Sequence, residues 1–131
     1  MDDQERAERG MTVRRAVLGD AHVDRAEANK TGFTEGFQDF ITRYAWGEIW
    51  SRPGLSQPER SIVTLAVLAA LRHDDELAMH TKAALRNGLS QDQIREVLLH
   101  TAVYAGVPAA NRAFAVADRA IREWDEEAGT A

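Results

Sequence analysis

"IVTLAVLAAL", residues Ile62–Leu71, decides the fold. Apart from Thr64 it carries no polar side chain, so a helix through it is apolar on every side. It is too short for a membrane span, which takes about 20 apolar residues in a helix. In a small domain such a helix must be central or lie in an interface between subunits. Just upstream, Ser56 and Glu59 have the spacing of a capping box that opens this helix, and "SRPGLS" (residues 51–56) breaks the chain before it.

Working outward, helix punctuation is dense and strand signals are nearly absent. "MTVRRAVLG" predicts a short helix stopped by Gly19. Asp20 suits the cap of a second helix, and Thr34 that of a third with Phe37, Phe40, Ile41 and Tyr44 on one face. Asp74 or Asp75 is expected to cap the helix that ends at Asn87 and Gly88. Ser90 and Gln93 form another capping-box pair, Gly106 ends the helix that follows, and Pro108 suits the first turn of the last one. The expectation is an all-α domain of about six or seven helices over residues 12–126, preceded by a flexible segment over 1–11 and frayed over the last six residues. Recurrent alanines, among them Ala66, Ala69, Ala83, Ala84, Ala109, Ala110, Ala113 and Ala117, permit close helix packing and point to an oligomer; the other reading is that alanine is simply a good helix former.

Bulk composition narrows the function. At 131 residues with 44% hydrophobic side chains, one domain with a real core is expected. A net charge of −5, with scattered Lys and Arg, argues against nucleic acid as a partner. No cysteine occurs, which removes disulfides, thiolate nucleophiles and thiol redox chemistry together. The polar, acidic "MDDQERAERG" is unlike a signal peptide, so a cytoplasmic protein with no membrane partner is expected.

"RHDDELAMH" (residues 72–80) holds the residues of most chemical interest. On a helix, His73, Glu76 and His80 fall within a wedge of roughly 60°. Glu76 and His80 are an i,i+4 pair whose side chains can hydrogen-bond. His73 stands about 10 Å of helix rise from His80, or precedes the helix and faces an N-terminus that favours anions. A metal site is not indicated, because the outer ligands are far apart and the pattern is not H-E-x-x-H. On spacing alone, a solvated polar face with an incidental pair is the commoner explanation.

Other stretches add candidates. Trp46 and Trp50 lead into the Pro-Gly loop that carries Arg52, which suits a pocket rim for a carboxylate or, alternatively, a hydrophobic anchor. Arg60 opposes the helix dipole in the first turn of its helix; an acidic ligand or a salt bridge would account for it. Tyr104 and Asn111 can donate hydrogen bonds into a cleft or satisfy a tight helix junction.

Five ordered blocks resemble one family. "VRRAVLGDAHVDRA", "FQDFITRYAWGEIWSRPGL", "RSIVTLAVLAAL", "DELAMHTKAALRNGLS" and "IREVLLHTAVYAGVPAANRAF" look like the γ-carboxymuconolactone decarboxylase (4-carboxymuconolactone decarboxylase) family, over about Val13 to Trp124. The resemblance implies the alkylhydroperoxidase D-like helical fold and a homo-oligomer, typically a hexamer built as a trimer of dimers. Redox relatives carry Cys-x-x-Cys and a histidine four residues later; those positions here read His73, Glu76 and His80. With no thiol to oxidise, peroxidase chemistry is excluded and the decarboxylase branch fits.

That branch implies decarboxylation of 4-carboxymuconolactone, a small dicarboxylate lactone, to 3-oxoadipate enol-lactone and CO2 in protocatechuate breakdown by the β-ketoadipate pathway. Electrons released with CO2 flow through the ring double bond into the lactone carbonyl, so the substrate is its own electron sink and no cofactor or metal is expected. The implied roles are His80 as proton donor, Glu76 as its polarising partner and His73 as stabiliser of the dienolate or proton relay. Arg52 and Arg60, with Trp46 and Tyr104, are the expected substrate-binding residues. Two alternatives stand beside this reading: a decarboxylase or isomerase of a related carboxylated lactone, and a non-catalytic oligomeric module that binds a small acid.

Overall fold

The computed structural model describes residues 1–130, and these group into two compact units, Met1–Gln57 and the segment from Pro58 onward. No strand occurs among the described residues, and none of their helices is long and apolar enough to cross a membrane.

In the first unit, α1 (Asp3–Leu18), α2 (Asp20–Ala28) and α3 (Glu35–Ile41) lead into a π-helical segment, Thr42–Trp50. The segment expected to be flexible over 1–11 is joined to the expected short helix as one continuous α1. Asp2 caps it by accepting from the Glu5 N–H at 2.8 Å, and Asp3 and Glu5 complement the positive end of the helix. Gly10 does not break α1, because it serves a packing contact. A Cβ there would strike the Thr42 carbonyl oxygen, and one on Gly47 would strike the Arg6 carbonyl oxygen. The two helices therefore meet backbone to backbone, with Arg6 Nε donating to Glu48 Oε2 at 3.1 Å beside the seam. Val17, Leu18, Val23 and Trp46 are buried in this unit. Buried Arg14 is held by Glu27 at 3.1 Å and Gln38 at 3.3 Å. The aromatic face that runs from α3 into the π-helical segment points outward in the chain: Phe37, Phe40 and Tyr44 are exposed, with Phe40 stacked on Tyr44 at 5.4 Å.

The second unit contains α4 (Gln57–Leu71), α5 (Asp74–Arg86), α6 (Gln91–Ala105) and α7 (Val107–Thr130). Its core joins Leu65 and Ala69 of α4, Leu77 and Ala84 of α5, Leu89, Ile94 and Leu98, and Ala113 and Ala117 of α7. Burying a leucine of this set stabilises the fold by about 1.5–3 kcal/mol. The α7 alanines Ala109, Ala110, Ala113, Ala117 and Ala120 are all buried, so much of the alanine content serves close packing inside this unit. Lys82 Nζ donates to Glu123 Oε2 at 2.9 Å, and the Arg86 guanidinium lies 5.0 Å from the Trp124 ring centre, fastening α5 to α7.

The turns on either side of α6 match their chemistry closely, whereas α2 is capped by Gly19 rather than Asp20 and Thr34 caps α3 without a side-chain hydrogen bond. Gly88 has φ 99°, Leu89 N–H bonds Ala84 O at 3.0 Å, and the Ser90–Gln93 capping box is complete. Gly106 (φ 99°) separates α6 from α7, and Pro108 sits in the first turn of α7. The link from α4 to α5 is less conventional. Arg72 adopts φ 60°, and the next amide, His73 N–H, bonds Leu68 O at 3.0 Å. This is the helix-ending turn that glycine usually occupies. The apolar helix quoted first is only partly central: Leu65 and Ala69 are buried, while Val63, Val67 and Leu71 are exposed in the chain.

Candidate functional site

The sequence placed three titratable residues on one wedge of α5, and the structure gives them three different environments. His80 lies inside the helix and is buried. Its neighbours along α5, Leu77, Thr81, Ala83 and Ala84, are buried too. The Thr81 hydroxyl donates back to Leu77 O at 2.7 Å, so no polar edge is exposed there. Glu76 is one turn earlier, exposed, and makes no hydrogen bond or ion pair among the described residues. The i,i+4 placement is present; the carboxylate itself faces outward.

His73 is the N-cap residue of α5, in place of the expected Asp74 or Asp75. Its side chain makes no capping hydrogen bond, but its carbonyl accepts from Leu77 N–H at 2.9 Å. The left-handed turn at Arg72 brings the chain out of α4 and straight into α5, which is why the cap falls one residue early. Asp74, Asp75 and Glu76 then fill the first turn. Their charges already complement the helix end, so the N-terminus is a poorer anion site than expected. Asp74 is further engaged by Arg112 Nε of α7 at 2.8 Å.

The substrate-binding candidates divide between the two units. In the first, Trp46 is buried and its ring lies 5.1 Å from that of Trp50, tilted by 34°. Arg52 follows in the loop, exposed, with its N–H bonded to Ile49 O at 3.1 Å and Nη1 4.0 Å from Glu48 Oε1. In the second, Arg60 is half-buried in the first turn of α4, and its carbonyl accepts from Thr64 Oγ1 at 2.8 Å. Tyr104 is 82% exposed near the end of α6, with its ring 5.2 Å from His100. An open groove of about 500 Å³ lies between α4 and α6, lined by Ile62, Ala66, Val97, Asp92, Glu96 and His100; none of the predicted site residues lines it. Among the described residues, no three His, Asp or Glu side chains gather as a metal-ligand set.

Two polar ties escaped the sequence reading. Asn87 Nδ2 donates to Ser61 Oγ at 3.0 Å, joining the end of α5 to α4. The Asp74–Arg112 pair joins the start of α5 to α7. Both connect residues 26 or more positions apart, and only the tertiary fold brings such residues together.

Comparison with known proteins sharpens what this arrangement is for. The model of the carboxymuconolactone decarboxylase family matches residues 35–119. The chain is 47% identical over 123 residues to a 4-carboxymuconolactone decarboxylase of Acinetobacter baylyi, covering 94% of this chain and 92% of that protein. It is 41% identical over 114 residues to a nitrosuccinic acid decarboxylase of Metarhizium robertsii, covering 87% and 80% of the two chains. A 48-residue 4-carboxymuconolactone decarboxylase sequence of Pseudomonas putida is 54% identical over its whole length, which spans 37% of this chain.

Proposed function

The chain belongs to the carboxymuconolactone decarboxylase family, and from that premise we propose that it is an enzyme that decarboxylates 4-carboxymuconolactone to 3-oxoadipate enol-lactone and CO2. The carrying observation is the near full-length similarity to a relative of that name. Presence of His80 in a buried stretch of α5 supports it, because a proton donor is the group this reaction needs from the protein.

The chemistry assigns the roles. Loss of CO2 leaves an electron pair that moves through the ring double bond to the lactone carbonyl, giving a dienolate. The protein must hold the carboxylates, stabilise the developing oxyanion and return a proton to the α-carbon. His80 returns the proton, since histidine titrates nearest neutrality. Glu76, one turn earlier on the same helix, is the expected partner of His80. His73, at the mouth of the helix, stabilises the oxyanion or relays the proton. Arg60 offers a planar fork to a carboxylate and Tyr104 offers apolar contact to the ring; Arg52 and Trp46 are the corresponding candidates of the first unit. No cofactor enters this scheme, because the substrate accepts its own electrons.

The direct experiment incubates the purified full chain with 4-carboxymuconolactone, with a chelator and without added cofactors. Enol-lactone and CO2 appearing together support the assignment; an unreacted lactone sinks it. A second substrate is favoured by the relative from Metarhizium robertsii, named for decarboxylating another dicarboxylic acid. Nitrosuccinate therefore belongs in the same assay, and turnover of it alone would transfer the assignment to that acid. Self-association, as a hexamer built from dimers, completes the proposal and is supported by the exposed Val63, Val67, Val103 and Val107 of the second unit. The expected place of work is the cytoplasm, where such a metabolite is met.

A further inference from the structure

We propose that Asn87 is a positioning residue for Arg60, acting through Ser61. This rests on the reading of Arg60 as the holder of a substrate carboxylate. Ser61 is the residue after Arg60 and is only 1% exposed. Its Oγ accepts from Asn87 Nδ2 at 3.0 Å.

The donor is well anchored. Asn87 ends α5, its own N–H bonds Ala83 O at 2.9 Å, and Gly88 follows with φ 99° in the helix-ending turn. The acceptor sits on a helix whose other contacts in the core of this unit are apolar: Leu65, Leu68 and Ala69. Such contacts are non-directional and tolerate small tilts and rotations. The two-residue link at Arg72 and His73 sets the register of α4 against α5 at one end, so the freedom that remains is at the other end, where Arg60 stands. A directional hydrogen bond next to Arg60 removes that freedom. Because Asn87 caps the helix that carries His80, the bond fixes the start of α4, and Arg60 with it, against the helix of the proton donor. A carboxylate held by Arg60 is thereby placed relative to His80, and placement to within about an ångström governs productive binding.

Four full-chain variants test this with 4-carboxymuconolactone as substrate: Arg60→Ala, Asn87→Ala, Arg60→Ala with Asn87→Ala, and Ser61→Ala with Asn87→Ala. Losing a charge-assisted contact in Arg60→Ala should raise KM about 10–100-fold. Asn87→Ala should raise KM about 5–10-fold and lower kcat as well, as expected when the bound carboxylate is no longer held in place relative to His80. In the Arg60→Ala background, Asn87→Ala should add nothing further, since both act on one contact. The Ser61→Ala, Asn87→Ala pair keeps the raised KM while its urea midpoint stays near wild type, because removing both partners leaves no buried hydroxyl unsatisfied. A normal KM in Asn87→Ala, beside a raised one in Arg60→Ala, overturns this inference alone. An additional rise from Asn87→Ala in the Arg60→Ala background also overturns it. A normal KM in Arg60→Ala overturns the reading of Arg60 and this inference with it.

Discussion

Nε of Arg112 donates a 2.8 Å hydrogen bond to Oδ2 of Asp74, fastening the first residue of α5 to α7. The pair is partly exposed, so its own contribution to stability is small. Arg112→Ala should cost less than about 1 kcal/mol in urea unfolding, and less still in high salt. Its larger effect should fall on turnover, because Asp74 adjoins His73. A loss of several kcal/mol with unchanged turnover would show a structural tie with no bearing on the site.

His80 and Glu76 differ in burial, and their substitutions should differ accordingly. His80→Ala removes the proposed proton donor and should lower kcat about 10²–10⁴-fold. Glu76→Gln keeps the shape of an exposed side chain and should lower kcat less, with the unfolding midpoint unchanged. Wild-type rates in both variants, with the fold intact by circular dichroism, would remove the site as assigned.

The glycine seam in the first unit should tolerate no side chain. Gly10→Ala sets a methyl group against the Thr42 carbonyl oxygen and should cost about 1–3 kcal/mol or more, since backbone must move. Gly36 of α3 faces open space, with no neighbouring atom within 4 Å of where a methyl group would stand. Gly36→Ala should therefore stabilise by up to about 1 kcal/mol. Thermal unfolding of the two variants separates them by sign. Equal effects would mean that α1 does not approach the π-helical segment this closely.

Lys82 and Glu123 give stability a pH dependence at both ends of the scale. The hydrogen bond from Lys82 holds the Glu123 carboxyl below its ordinary value of 4.5. That stabilisation is present above pH 4.5 and is lost as pH falls through the folded-state value. The same bond raises Lys82 above its ordinary 10.5 against an opposing effect of burial, so its contribution is full below pH 10.5 and is lost as pH rises through the folded-state value. Lys82→Met should flatten both arms of the stability–pH profile. Arms as steep as wild type would show that the pair contributes nothing.

Much of the fold was legible because it is written in local chemistry. The Ser90–Gln93 box and the glycines at 88 and 106 do what their spacing predicts. Gly10 and the π-helical stretch were not legible: each is set by the approach of α1 to Thr42–Trp50, a contact between distant parts of the chain. The site divides the same way. Residue types on α5 could be read from their spacing and resemblance. Which of the three would be buried could not, because that depends on the face of α5 that packs. Nor could Arg72 be foreseen as the turn residue, since a left-handed conformation in a residue with a Cβ is sterically disfavoured.

The apolar valines left outward on α4, α6 and α7 predict assembly of the chain. Sedimentation should give a mass several times that of one chain. Val67→Asp with Val103→Asp, both at exposed positions, should reduce that mass without unfolding the helices. A monomeric wild type would remove the assembly from the proposal.

Arg72 and His73 are the whole connection between α4 and α5. A link of two residues, bonded back to Leu68 on one side and forward to Leu77 on the other, has no slack to give or take. Length variation among descendants of this chain should therefore gather in the Ser51–Ser56 loop and spare this corner. A single inserted or deleted residue there would rotate everything after it, His80 included.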